Sequence, residues 1–149
     1  MRVLHGLGIS VLILLAACGG PAAPRINPAP SADDAGCAAL LNRLPATLLG
    51  RPAGSTDVAG AAVWGKPAIV LRCGVTPPGP SADACINVNN VDWLFTETGS
   101  AYVFTTYGRT PATELRVPKE IDRTEAAGAT AQLASAVMPL LVGRHCVAS

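Results

Sequence analysis

The sequence predicts an α+β fold: an antiparallel sheet of four or five strands, with N- and C-terminal helices packed on one face and two disulfides. Three observations carry this. Five short apolar segments lie between Ala61 and Val117, joined by connections too short to hold a crossover helix, so antiparallel pairing is favoured. Stretches with helical spacing flank them on both sides. All six aromatic residues fall between Trp64 and Tyr107, which puts the bulky part of the core on the sheet.

Before the fold comes a leader. Residues 1–17 divide into a short start with Arg2, an apolar stretch over residues 3–15 interrupted by His5, Gly6 and Gly8, and small residues at the end. This is the organisation of a signal peptide. The stretch falls short of the roughly 20 apolar residues that a permanent spanning helix needs. Leu15, Ala16, Ala17 and Cys18 resemble the bacterial lipobox. The resemblance implies transfer of a diacylglyceryl group to the Cys18 sulfur, cleavage before Cys18 and, in many bacteria, acylation of the new amino terminus with a palmitate-type chain. Two or more chains hold a protein on a membrane stably.

Residues 18–36 carry the lipidated cysteine and a Pro/Gly/Ala-rich tether with four prolines after Cys18. The segment has no apolar periodicity and reads as a spacer or a tail. Extended as polyproline, it would reach about 56 Å at ~3.1 Å per residue. The globular domain is expected over residues 37–149.

Within that domain, Leu40, Leu41, Leu44 and Leu48 have helical spacing, with Asp34 as N-cap and Gly50 as a stop, and Pro45 should kink or shorten the helix. Strand signals follow at residues 61–64, 68–73, 86–95, 101–107 and 113–117. The alternation of the third changes phase at Asn89 and Asn90, which predicts a bulge or a strand break. Asp122 and Glu125 then have capping-box spacing ahead of a stripe of Leu133, Val137, Leu140 and Leu141, which Pro139 kinks or ends.

Composition limits the function classes. Half of the 149 residues are hydrophobic and 14% are charged, enough apolar material for one core. Without Arg2, ten basic residues face ten acidic ones, so there is no electrostatic case for a nucleic-acid partner. Setting Cys18 aside leaves Cys37, Cys73, Cys85 and Cys146, an even number in an exported chain, and three pairings are open to them. Cys73 with Cys85 is favoured, because they bracket the Pro- and Gly-rich GVTPPGPSADA, and Cys37 with Cys146 follows. No CxxC pair occurs, so a structural zinc site is not indicated.

The stretches WGKPAIVLRCGV at 64–75, VDW at 91–93, TTYGRTP at 105–111 and VP at 117–118 resemble the actinobacterial lipoproteins that carry domain of unknown function 3515. The resemblance covers most of residues 37–149 and carries no assigned chemistry, cofactor or catalytic residue. The chain departs from the pattern at Lys66, where an acidic residue is expected after WG. If that position meets a ligand, its charge preference is reversed here.

Catalytic patterns are few. GAAVWGKP at 60–67 imitates a phosphate loop until Pro67, which offers neither a hydroxyl for magnesium nor an N–H for phosphate. There is no GxSxG, SxxK or HExxH, and His145 is the one histidine after the leader, expected at the surface or a helix end. A dispersed Ser-His-Asp site and a carboxylate pair formed by Asp92 and Glu114 are weaker alternatives. Trp64 and Trp93 suit core packing better than a stacking platform for a sugar.

What remains is a binding face. Ile69 and Leu71 alternate with Val70 and Arg72, and Leu115 and Val117 alternate with Glu114 and Arg116. With the helices on the apolar side, Arg72, Glu114 and Arg116 fall on the open side, joined at strand ends by Asp92, Tyr107 and Arg109, the last at the tip of a YGRTP turn. Arginine beside aromatic residues suits carboxylate or phosphate recognition and protein interfaces; ion pairing across an exposed sheet is the simpler alternative. The expectation is a lipid-anchored protein on the extracytoplasmic side of the cell membrane. It needs no cofactor and no metal, and binds an envelope protein or a cell-wall ligand without chemistry of its own. A small envelope hydrolase and a passive structural lipoprotein are the competing classes.

Overall fold

The computed structural model describes residues 25–147. The leader and Cys18 lie outside the described residues. No helix among the described residues is long and apolar enough to cross a membrane.

Helix α1 (Ala35–Leu41) starts where the Asp34 carboxylate accepts the Gly36 N–H at 2.7 Å, and it stops before Pro45. The predicted helix does not continue to Gly50. Pro45 has no N–H to give, and residues 47–52 instead form a small hairpin of β1 (Thr47–Leu48) and β2 (Arg51–Pro52). Leu49 and Gly50 make its turn at φ 50° and 71°, so Gly50 is a turn residue, and Leu48 is fully buried from the strand.

Then come β3 (Ala61–Trp64), β4 (Ile69–Val75), β5 (Ala84–Val88), β6 (Val91–Glu97), β7 (Ala101–Thr106), β8 (Arg109–Thr110), β9 (Ala112–Pro118), α2 (Arg123–Val137) and β10 (Leu141–Val142). The main sheet has six strands in the order β3-β4-β9-β7-β6-β5, antiparallel throughout, where four or five were expected. The extra strand comes from Asn89 and Asn90. Both sit at positive φ, 50° and 63°, and form a two-residue hairpin turn that divides the predicted 86–95 segment into β5 and β6. A further small pair joins β8 to β10.

One sheet face carries Trp64, Ile69, Leu71, Cys73, Val91, Trp93, Phe104, Leu115 and Val117 into a core shared with Cys37 and Leu40 of α1 and Ala126, Ala129, Leu133 and Val137 of α2. Both tryptophans are buried there, and Trp64 Nε1 donates to the Pro45 carbonyl at 3.0 Å. Helix α2 begins at its predicted cap, Asp122, whose carboxylate accepts the Thr124 and Glu125 N–H groups at 2.8 and 3.3 Å. Of its stripe, Leu141 leaves the core and is 77% exposed in β10, because the helix ends ahead of Pro139.

The disulfides pair Cys37 with Cys73 and Cys85 with Cys146, with Cα separations of 5.5 and 6.0 Å. This replaces the expected pairing of Cys73 with Cys85 and Cys37 with Cys146. Sheet order is the reason. Strands β4 and β5 are separated by β9, β7 and β6, four strand spacings or about 19 Å. The GVTPPGPSADA connection therefore crosses the sheet instead of closing a hairpin, and Cys73 faces the helices while Cys85 shares the opposite face with Leu94.

The packed body also begins earlier than residue 37. Ala29 is buried, the Ser31 N–H donates to the Gly74 carbonyl at 2.9 Å, and the Asn27 carbonyl accepts from Arg72 at 3.3 Å. Part of the expected tether is thus a strap lying on the sheet. Gly74 permits the contact: it sits at φ +88° in a bulge of β4, and a Cβ there would overlap the Ser31 carbonyl.

Candidate functional site

The sheet face away from the helices is built by alternation. Residues that point opposite to Ile69, Leu71, Leu115 and Val117 are Val70 and Arg72 on β4 and Glu114 and Arg116 on β9. Antiparallel register sets Arg72 directly across from Glu114 and Val70 across from Arg116, and β7 adds Val103 and Thr105 beside them. The three charged residues predicted for this face are thus brought together.

Their charges do not cancel. Glu114 Oε1 accepts from Arg72 Nε and Nη2 at 3.2 and 2.8 Å, and Arg116 Nη1 stands 3.9 Å from the same oxygen. Two guanidiniums share one carboxylate. Arg72 is the better satisfied, because its Nη1 also donates to Asn27; the Arg116 side chain is 39% exposed against 26% for Arg72. Beside this triad the strap and the sheet enclose a groove of about 570 Å³, lined by Arg25, Asn27, Arg72, Arg116, Ala101 and Glu120 among others. A guanidinium with unused donors in an open groove matches the geometry of a carboxylate or phosphate.

The other predicted positions separate from this groove. Asp92 belongs to the same face but lies under the C-terminal segment and is 5% exposed. Its Oδ1 accepts from Asn87 Nδ2 at 2.7 Å, and its Oδ2 accepts from the Cys146 N–H at 3.1 Å and meets His145 Nδ1 at 3.0 Å. Burial pushes the Asp92 carboxyl up, but these donors outweigh it and hold the group below the ordinary 3.8. Tyr107 is half-buried at the end of β7, and its N–H donates to the Asp92 carbonyl at 2.8 Å.

Arg109 is not at a turn tip. It is 4% exposed, and its guanidinium donates to the carbonyls of Met138 at 2.6 Å, Leu140 at 3.0 Å and Asn90 at 2.9 Å. The last carbonyls of a helix have no intrahelical partner, and Arg109 supplies donors both to the end of α2 and to the Asn89–Asn90 turn. Burial lowers its pKa from the ordinary arginine value, with the charge of Asp92 acting in the opposite sense. Its geometry is that of a structural clamp.

In chemical terms, Asp92 orients His145 through Nδ1 and leaves the ring 71% exposed. An acyl-transfer site also needs a nucleophile within reach of the free nitrogen. Among the described residues no hydroxyl or thiol hydrogen-bonds to His145. Asp92 and Glu114 are each engaged by their own partners rather than facing a shared space. The stretch 60–67 that imitates a phosphate loop is β3 followed by a tight turn with a cis Lys66–Pro67 bond. No group of three or more His, Cys, Asp or Glu among the described residues is placed to hold a metal ion.

Sequence reasoning missed Arg25, Asn27 and Glu120, which line the groove. The first two sit in the Pro-rich segment read as a spacer, where half-buried Ile26 was the one apolar hint.

A family model described as "Protein of unknown function (DUF3515)" matches residues 9–142. No curated protein and no solved structure matches the chain.

Proposed function

We propose, for a chain that belongs to the DUF3515 family of proteins of unknown function, the role of an exported, lipid-anchored envelope protein of the actinobacterial lipoprotein type. It acts as a binding or accessory module and performs no chemistry of its own. One observation carries the binding reading: the groove on the open sheet face, where Arg116 shares Glu114 with Arg72 and donates no hydrogen bond among the described residues. Its ligand is a carboxylate or phosphate group presented by a cell-wall component or an envelope protein. Export is supported by the paired cysteines, which belong in an oxidising compartment, and by the Leu15–Cys18 lipobox resemblance.

In-cell crosslinking of the anchored protein tests this, with partners identified by mass spectrometry and an Arg116→Ala, Arg72→Ala variant in parallel. A specific partner held by wild type and lost in the folded variant is expected. Equal capture by both would remove the groove from the binding function.

The hydrolase alternative rests on the Asp92–His145 contact. Turnover of ester or glycan probes by wild type, abolished in His145→Ala, would replace the binding reading.

A further inference from the structure

The strap changes how far the folded body stands from a lipidated Cys18. Only seven peptide links separate Cys18 from Arg25, where the described chain begins to line the groove. Fully extended they span about 25 Å, and as a flexible chain about 15 Å. A body of this size is roughly 35 Å across. The leash is therefore shorter than the body is wide, which excludes orientations with Arg25 on the far side and favours resting on the region from which Arg25 emerges.

That region is the groove end of the sheet. Its lining comes from the start of β4 and its preceding turn (Pro67, Ala68), the turn before β7 (Ser100) and the end of β9 (Pro118). Three arginines and one glutamate line it, and exposed Lys66 stands on the turn beside Pro67. Arg72 is largely occupied by Glu114 and Asn27, which leaves Arg25, Arg116 and Lys66 as the cations available to an anion. The opposite end of β4, six residues along or about 20 Å away, adjoins the strap contact at Gly74.

We infer that the groove end is a membrane-docking surface, in which Arg25, Arg116 and Lys66 contact the phosphates of anionic lipid headgroups in the bilayer that holds Cys18. The inference rests on the lipid-anchored reading above, and it takes headgroup phosphates, in place of a cell-wall or protein ligand, as the anion that Arg116 meets. It orients the body with the groove toward the lipid and the exposed Leu141 and Val142 of β10 away from it.

The test uses the full, lipidated chain in vesicles of phosphatidylglycerol with phosphatidylcholine, and in phosphatidylcholine alone, each containing a trace lipid with a photoactivatable headgroup. Intact mass is measured first. A chain without diacylglyceryl on Cys18 refutes the anchoring reading and this inference with it. With the lipid present, crosslinks are expected on peptides carrying Ser100 and Glu120 and not on those carrying Leu141 and Val142. Their yield in anionic vesicles should fall about fivefold for each of Arg25→Ala and Arg116→Ala. Both side chains are partly or fully exposed, so folding should survive, and circular dichroism checks it. Crosslinks spread equally over both ends, or yields indifferent to lipid charge and to the arginines, would overturn the docking surface and leave the anchor intact.

Discussion

Replacing Arg109 with alanine separates a structural role from a recognition role. The side chain donates three charge-assisted hydrogen bonds to carbonyls at two places, the end of α2 with its following turn and the β5–β6 hairpin. At about 1.5–3 kcal/mol each, three such bonds would sum to roughly 5–9 kcal/mol. The Met138 and Asn90 bonds are only part-buried, so water recovers some of that loss, and an expected cost of about 3–5 kcal/mol follows. Against a total stability of about 5–15 kcal/mol this is a large fraction, and at ~4 °C per kcal/mol it lowers Tm by about 12–20 °C. Thermal and guanidinium unfolding of the oxidised protein, followed by circular dichroism, measures it. Arg109→Lys keeps the charge, but its three donors radiate from one nitrogen and cannot span acceptors on both segments, so it should recover about 1–2 kcal/mol. An alanine variant within about 0.5 kcal/mol of wild type would refute the clamp.

Three further outcomes are expected. A peptide map without reduction should join Cys37 to Cys73 and Cys85 to Cys146; replacing each pair by serine should cost about 3.8 and 4.3 kcal/mol for sequence separations of 36 and 61, while a fragment linking Cys73 to Cys85 would contradict the sheet order. Asp92 has a folded pKa held below its ordinary 3.8, so the stability it contributes is present above that value and lost as pH falls through the folded pKa; the unfolding midpoint between pH 5 and pH 2 should fall less steeply in Asp92→Asn, and an unchanged slope would show that the carboxylate is not held as described. Gly74→Ala places a Cβ on the Ser31 carbonyl at φ +88°, so it should cost more than about 1 kcal/mol and speed proteolysis within residues 25–33; unaltered cleavage would mean the strap does not depend on this contact.

Local chemistry was legible where the determinants are close in sequence. Asp34 and Asp122 cap their helices because a carboxylate reaches an N–H two or three residues on. The phase change at Asn89–Asn90 marked a strand break for the same reason, and the six-strand count follows once that break becomes a turn. Sheet order was not legible. Whether the 76–83 connection closes a hairpin or crosses three intervening strands depends on which edges pair, and nothing in its Pro/Gly composition decides between the two. The disulfide pairing inherited that uncertainty.

The site divides along the same line. Alternation alone put Arg72, Glu114 and Arg116 on one face, because a strand's two-residue period needs no tertiary information. It could not rank them. Arg72 lies opposite Glu114 and also reaches the Asn27 carbonyl, so its charge serves the strap as much as the face. Arg116 is opposite Val70, offers no such tie, and reaches Glu114 only at 3.9 Å. A ligand anion at Arg116 therefore displaces little, whereas one at Arg72 must break an existing pair. For that reason Arg116→Ala should affect binding more than Arg72→Ala, and Arg72→Ala should affect stability more than Arg116→Ala. A reversal of that order would place the recognition elsewhere on the sheet.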